Sequence, residues 1–115
     1  MIEIVDFFKI MADETRLRIL MLLAQSDLFV CQIMGVLNLP QSKVSKHLAK
    51  LRDLKLVSIE KKEKYVLYKL DIGDELFKKM IEDILLKSDS FKVLKADSVN
   101  LKHKDSFLCD CSNLY

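Results

Sequence analysis

Residues 30–54 read VCQIMGVLNLPQSKVSKHLAKLRDL, and the fold turns on whether they form one helix or two. Asn38-Leu39-Pro40 decides it. Proline has no amide hydrogen and its ring clashes with the preceding turn, so no helix runs through Pro40 undisturbed. The spacing predicts a short helix over 30–37, a tight turn at 38–40 and a second helix from Gln41 to Leu54. Val44, Leu48, Leu51 and Leu54 recur three and four residues apart and make one apolar stripe on that second helix. Off the stripe stand Gln41, Ser42, Lys43, Ser45, Lys46 and Lys50. Glutamine can pair with an adenine edge, serine with base edges or phosphate, and lysine with guanine or phosphate.

Upstream, Ile2, Ile4, Val5, Phe8 and Met11 fall at helical spacing and predict an amphipathic helix over 2–11. Asp13 is the expected N-cap of a second helix, apolar on nearly all sides but for Arg16 and Arg18, as a central buried helix should be. Ser26-Asp27 ends it. Downstream, in LVSIEKKEKYVLYKL (56–70), the apolar period shifts towards two, which predicts two antiparallel strands around a charged turn at Lys61–Lys64. A last helix, Asp74 to Leu86, carries Leu76, Phe77, Met80, Ile81, Ile84 and Leu85 on a broad face. Beyond Ser88 the pattern weakens. Residues 1–87 therefore read as the folded domain, and 88–115 as a loosely ordered polar tail ending in Cys109-Asp110-Cys111.

The order is mainly α with a small β-hairpin, a winged helix-turn-helix. Its second short helix is the one expected to enter a DNA major groove. Charge agrees. Of the 115 residues, the segment from Leu39 to Lys64 holds eight Lys/Arg against three Asp/Glu, on a chain whose net charge is only +2. Such a stretch fits a nucleic-acid footprint, although alone it more often marks a solvated face. The longest apolar run, Ile19 to Ala24, is far below the ~20 residues that span a membrane. With no basic-then-apolar leader at the start, the expected location is cytoplasmic. Three cysteines make no disulfide framework. Only Gly35 and Gly73 are glycines, so there is no phosphate-cradling loop, and no enzymatic arrangement stands out.

Three blocks carry a family resemblance: ADETRLRIL at 12–20, DLFVCQI at 27–33 and QSKVSKHL at 41–48. Together they make residues 7–70 resemble the ArsR/SmtB family of metal- and metalloid-responsive repressors. The resemblance implies a homodimer that sits on operator DNA, an imperfect palindrome, and leaves it when a metal or metalloid binds. It maps the DNA-facing positions to Gln41, Ser42, Lys43, Ser45, Lys46 and His47, with Lys62 and Lys64 on the wing. It pairs the first and last helices across a twofold, with Ile4, Val5, Phe8, Leu76, Met80, Ile84 and Leu85 as the expected interface. Two positions depart from the family pattern. Pro40 replaces a capping serine, which removes a side-chain cap without breaking the helix, and Glu63 replaces a wing-tip glycine.

The family's third-helix thiol pair is also incomplete here, since Phe29 stands where the first cysteine would be and only Cys31 remains. The family's last-helix site needs a histidine, and none lies between His47 and His103. Cys109 and Cys111 can supply the missing thiolates. Cys31, Cys109 and Cys111 form a soft set that suits trivalent arsenic or antimony. Zinc would want a fourth ligand, for which Asp110 or His103 is available; cadmium and lead stay open. A thiol oxidation or persulfide switch is the alternative, and Cys31 as a small core residue the plainest one.

Overall fold

Asp13 sets the start of the central helix. Its carboxylate accepts from the Arg16 amide at 3.0 Å, satisfying one of the first-turn donors that have no partner within the helix. The computed structural model describes residues 2–108. In it α1 is Ile4–Met11, α2 Glu14–Gln25, β1 Leu28–Phe29, α3 Val30–Leu37, α4 Gln41–Asp53, β2 Val57–Lys62, β3 Tyr65–Leu70, α5 Glu75–Leu86 and α6 Lys92–Leu101. Single 3-10 turns cover Ser88–Ser90 and Lys104–Phe107. α1 to α5 and the wing fall where the sequence predicts them, within two residues at their ends; α6 is not among the predicted elements.

Ile19, Leu20 and Leu22 of α2 are fully enclosed, joined by Ile33 of α3 and by Leu48 and Leu51 of α4. The apolar stripe of α4 is thus spent on the core, which turns its polar face outward. Asn38 turns the chain between α3 and α4 with a left-handed φ of 56°, a conformation asparagine tolerates better than most residues. Pro40 is the N-cap of α4 with φ −71° and ψ 156°, and no side-chain cap bonds the first turn.

The sheet is three-stranded, in the order β1-β3-β2, all antiparallel. The third strand, β1, is an addition to the expected hairpin. It pairs Leu28 with Tyr68 and Phe29 with Leu67. Two residues are too few for an alternating pattern to reveal. In the hairpin Lys62 faces Tyr65, so the turn is only Glu63-Lys64, with Glu63 at φ 58° where a glycine would be unstrained.

Residues 88–108 correct the expectation of a loose tail. Leu94 and Leu101 of α6 are buried, and so is Asp97. Asp97 receives Arg18 Nε and Nη2, each at 2.9 Å, a bidentate pair between α6 and α2. Those bonds hold the Arg18 guanidinium above its ordinary pKa, against the opposing effect of burial. Asn100 Nδ2 donates to the Val36 carbonyl at 3.4 Å, Gln32 Nε2 to the Lys104 carbonyl at 3.4 Å, and Lys104 Nζ to Ser26 Oγ at 2.6 Å. Phe107 lies directly over Gly35, where a side-chain carbon would collide with its ring and its Cβ. The segment is held by its buried leucines and by these polar contacts to α2 and α3, and a hydropathy pattern does not register the polar part.

Candidate nucleic-acid interface

The exposed side of α4 presents Ser42, Lys43, Lys46, Ala49 and Lys50. Gln41 and Ser45 sit at one edge of this face, half-buried, with Gln41 Nε2 donating to Ser45 Oγ at 2.8 Å. His47 sits at the other edge, turned towards the start of α2. Burial holds its imidazole below the ordinary histidine pKa, opposed by the Asp13 carboxylate and supported by the Arg16, Lys46 and Lys43 charges. Burial thus favours the neutral imidazole, which offers one donor and one acceptor rather than a charge. Of the expected α4 residues, five share the outer face or its edge; His47 belongs to a cleft beside it.

That cleft, about 420 Å³, lies between α2 and α4 and is lined by Asp13, Arg16, Lys46, His47, Lys50 and Asp53, together with Ala49. Sequence reading gave Arg16 no functional role, because it is spaced as part of a core helix.

On the wing, Lys62 Nζ lies 2.6 Å from Glu60 Oε2, and Lys69 Nζ lies 2.9 Å from Glu60 Oε1. The Lys62 hydrogen bond first, then Lys69, pulls the Glu60 carboxyl down to about 2. Glu60 thus stays ionised at any physiological pH and competes with any other anion for Lys62. Lys64, in the turn, is exposed.

Ile4, Val5, Phe8 and Leu76 are 45, 60, 52 and 52% exposed, unusual for large apolar residues. Met80, Ile84 and Leu85 are half-buried. Phe7 stacks on Phe77 at 4.2 Å with an interplanar angle of 6°, which locks α1 against α5.

Cys31 is 7% exposed at the second position of α3, and its sulfur is in a disulfide. Cys109 and Cys111 lie outside the described residues. Among the described residues no cluster of three His, Cys, Asp or Glu side chains could hold a metal ion, and no helix is long and apolar enough to cross a membrane.

A buried stripe under an outward polar helix, preceded by a short helix and a sharp turn and followed by a basic hairpin, defines a winged helix-turn-helix regulator. Residues 13–58 match the model of the bacterial regulatory protein family arsR. The chain is 45% identical over 67 residues to the arsenical resistance operon repressor of Escherichia coli, covering 57% of each chain. It is 41% identical over 78 residues to the transcriptional activator HlyU of Vibrio cholerae, covering 68% of this chain and 70% of HlyU. The solved HlyU structure superposes with a TM-score of 0.63 over 70% of this chain and 85% of that one. The AntR antimony-specific transcriptional repressor gives a TM-score of 0.64 at 27% identity, over 77% of this chain and 79% of that one. The chain belongs to the ArsR family of bacterial regulatory proteins, a family of transcriptional regulators and not of enzymes. It spans 50–58% of the length of three arsenic-resistance regulators to which it is 40–45% identical.

Proposed function

We propose that this protein is a homodimeric repressor that binds an imperfectly palindromic operator and releases it when trivalent arsenic or antimony binds Cys31, Cys109 and Cys111. The observation that carries the DNA part is the outward face of α4, all of whose cations are free of the core, set beside the lysines of the wing. In the dimer, Ile4, Val5, Phe8, Leu76, Met80, Ile84 and Leu85 are covered by a second copy. Two α4 helices then face successive major grooves, with Gln41, Ser42, Lys43, Ser45 and Lys46 at the groove, His47 at its edge and Lys62 and Lys64 along the backbone. Such a protein works in the cytoplasm, where its operator and reduced thiols are.

Chain length supports the thiol set. Cys31 lies four residues before Gly35, one helical turn or ~6 Å along α3. Phe107 is seated on Gly35. Cys109 follows Phe107 by two residues and Cys111 by four, spans of up to ~7 and ~14 Å. All three thiols of one subunit can therefore meet, with residues 88–115 serving as the sensing appendage to the 1–87 domain. The metalloid acts by binding the DNA-free form more tightly; a typical coupling of ~1–3 kcal/mol weakens DNA binding roughly 5–150-fold.

The test is fluorescence anisotropy of a duplex from the protein's own promoter, titrated with arsenite and with antimonite under reducing conditions. Release near one equivalent per subunit is expected, and C109S or C111S should keep repression and lose release. Normal release of those variants would eliminate the three-thiol site. Release by zinc, cadmium or lead alone would keep the repressor and change its inducer.

A second reading rests on the Cys31 disulfide. Two thiols give up two electrons and two protons to a peroxide, yielding a disulfide and two waters. Oxidised sulfur cannot ligate arsenic, so the two signals exclude one another. Peroxide-driven release that dithiothreitol reverses, with no arsenite response in the reduced protein, would favour this reading.

A further prediction concerns the wing. Glu60→Gln removes the acid that holds Lys62 and Lys69. It should tighten duplex binding roughly 2–5-fold at ~50 mM salt, with the gain fading at ~300 mM as phosphate contacts are screened. An anisotropy salt series on the two proteins would show it.

A further inference from the structure

Arg16 is unusual among the cations of this chain. Its Nε–H is buried and has no hydrogen-bond acceptor among the described residues. The nearest carboxylate, Asp13, is already committed: one oxygen caps α2 at the Arg16 amide, and the other stands 3.9 Å from Arg16 Nη2. That is too long for a good hydrogen bond. A guanidinium carries five donors in a fixed fork, and this one is largely unspent.

The same guanidinium lines the cleft between α2 and α4, together with Lys46 and Lys50. It also lines a second cleft of about 260 Å³, again with Lys50 and now with Lys9 and the carboxylate of Asp6. In the first cleft three cations face two carboxylates, Asp13 and Asp53, and Asp13 is the helix cap. His47, whose imidazole keeps a ring N–H donor in either protonation state, can donate one further hydrogen bond. Lys46 belongs both to this cleft and to the outer face of α4. An oxyanion held here would therefore lie immediately beside whatever that face contacts.

We infer that Arg16, with Lys46 and Lys50, forms a binding site for one DNA backbone phosphate flanking the groove that α4 enters. The inference rests on the DNA-binding reading above and adds a contact from α2, outside the helix-turn-helix itself. The phosphate is held by the charge of the partly exposed guanidinium together with those of Lys46 and Lys50. Because phosphate carries no sequence information, the contact strengthens binding to every duplex alike.

The experiment is a salt series of anisotropy titrations, from about 50 to 300 mM KCl, comparing wild type with Arg16→Gln and Arg16→Lys. Two duplexes are used, the protein's own promoter fragment and a mixed-sequence control. Losing one phosphate contact per subunit should lower the slope of log K against log salt by about 0.9 for each subunit bound. Arg16→Gln should weaken both duplexes by the same factor, roughly 8-fold per subunit and so about 60-fold for a dimer at ~100 mM salt. Arg16→Lys should restore most of the slope. An unchanged slope in a folded Arg16→Gln protein would overturn the inference while leaving the DNA reading intact. If that variant does not fold, Lys50→Gln, on the exposed rim of the same cleft, must show the reduced slope instead. Wild type that binds neither duplex would remove the DNA reading and this site with it. Inorganic phosphate, at ionic strength matched with chloride, should raise the Tm of wild type no more than that of Arg16→Gln. A rise confined to wild type would make this a small-anion site rather than a DNA contact.

Discussion

Asp97→Ala is expected to cost about 3–5 kcal/mol, because it leaves the Arg18 guanidinium buried without its bidentate partner. For a domain of this size that would lower Tm by roughly 10–20 °C if unfolding stays two-state. The pair is 2.9 Å at both contacts, with Asp97 only 4% and Arg18 17% exposed. The loss has a ceiling. Once it exceeds the free energy that docks α6 on α2, the helix detaches and Arg18 recovers water, so further cost stops accruing. Two outcomes follow from this. A single cooperative transition shifted downward means α6 is part of the global folding unit. A near-normal main transition, with residues 88–108 newly sensitive to protease, means α6 is a separately detachable unit. Replacing both partners, Arg18→Met with Asp97→Leu, should recover most of the loss, since a buried pair is often no better than apolar residues of its volume. Thermal melts with limited proteolysis distinguish these cases. A single Asp97→Ala protein with unchanged Tm and unchanged protease resistance would contradict the burial of this pair.

The helix-turn-helix was legible because its signals are local. Pro40 forbids a continuous helix, and Val44, Leu48 and Leu51 repeat at helical spacing; all three are buried. Glu63 stands at the wing tip where the resemblance implies glycine, and it adopts a positive φ that glycine would take without strain. What could not be read was non-local or polar. β1 is two residues whose partners, Leu67 and Tyr68, lie almost forty positions away. α6 buries only Leu94 and Leu101 in the core and is bound besides through Asp97, Ser98 and Asn100, residues that a hydropathy profile scores as surface. Arg16 and His47 were placed by periodicity and by resemblance respectively. Only the packing of α2 against α4 brings them into one cleft.

Gly35→Ala should do little to DNA binding and much to inducer response. Two effects of opposite sign compete. Alanine is the better residue inside a helix, which favours α3 by about 1 kcal/mol. Its methyl, however, would occupy the space of the Phe107 ring and of Phe107 Cβ, so a rotamer change alone does not clear it. Displacing a half-buried phenylalanine costs roughly 2–3 kcal/mol of burial and contact, which outweighs the helical gain locally. The contacts that hold the turn Lys104–Phe107 besides include those of Lys104 to Gln32 and Ser26, both outside the apolar core, so it should lift from α3 while the core stays folded. Hydrogen exchange would then show lost protection at 104–108 with α2 and α4 unchanged. The consequence reaches the thiols. If the three cysteines form the proposed site, unseating Phe107 one turn from Cys31 lowers the effective concentration of Cys109 and Cys111 at that sulfur. Arsenite should therefore be needed at roughly tenfold or higher concentration to release the operator. Phe107→Ala on its own should weaken the response in the same direction. Adding Gly35→Ala to it should cost little more, because the two side chains contend for one space. A Gly35→Ala protein with a normal arsenite response would show that the seating of Phe107 has no part in bringing the three thiols together.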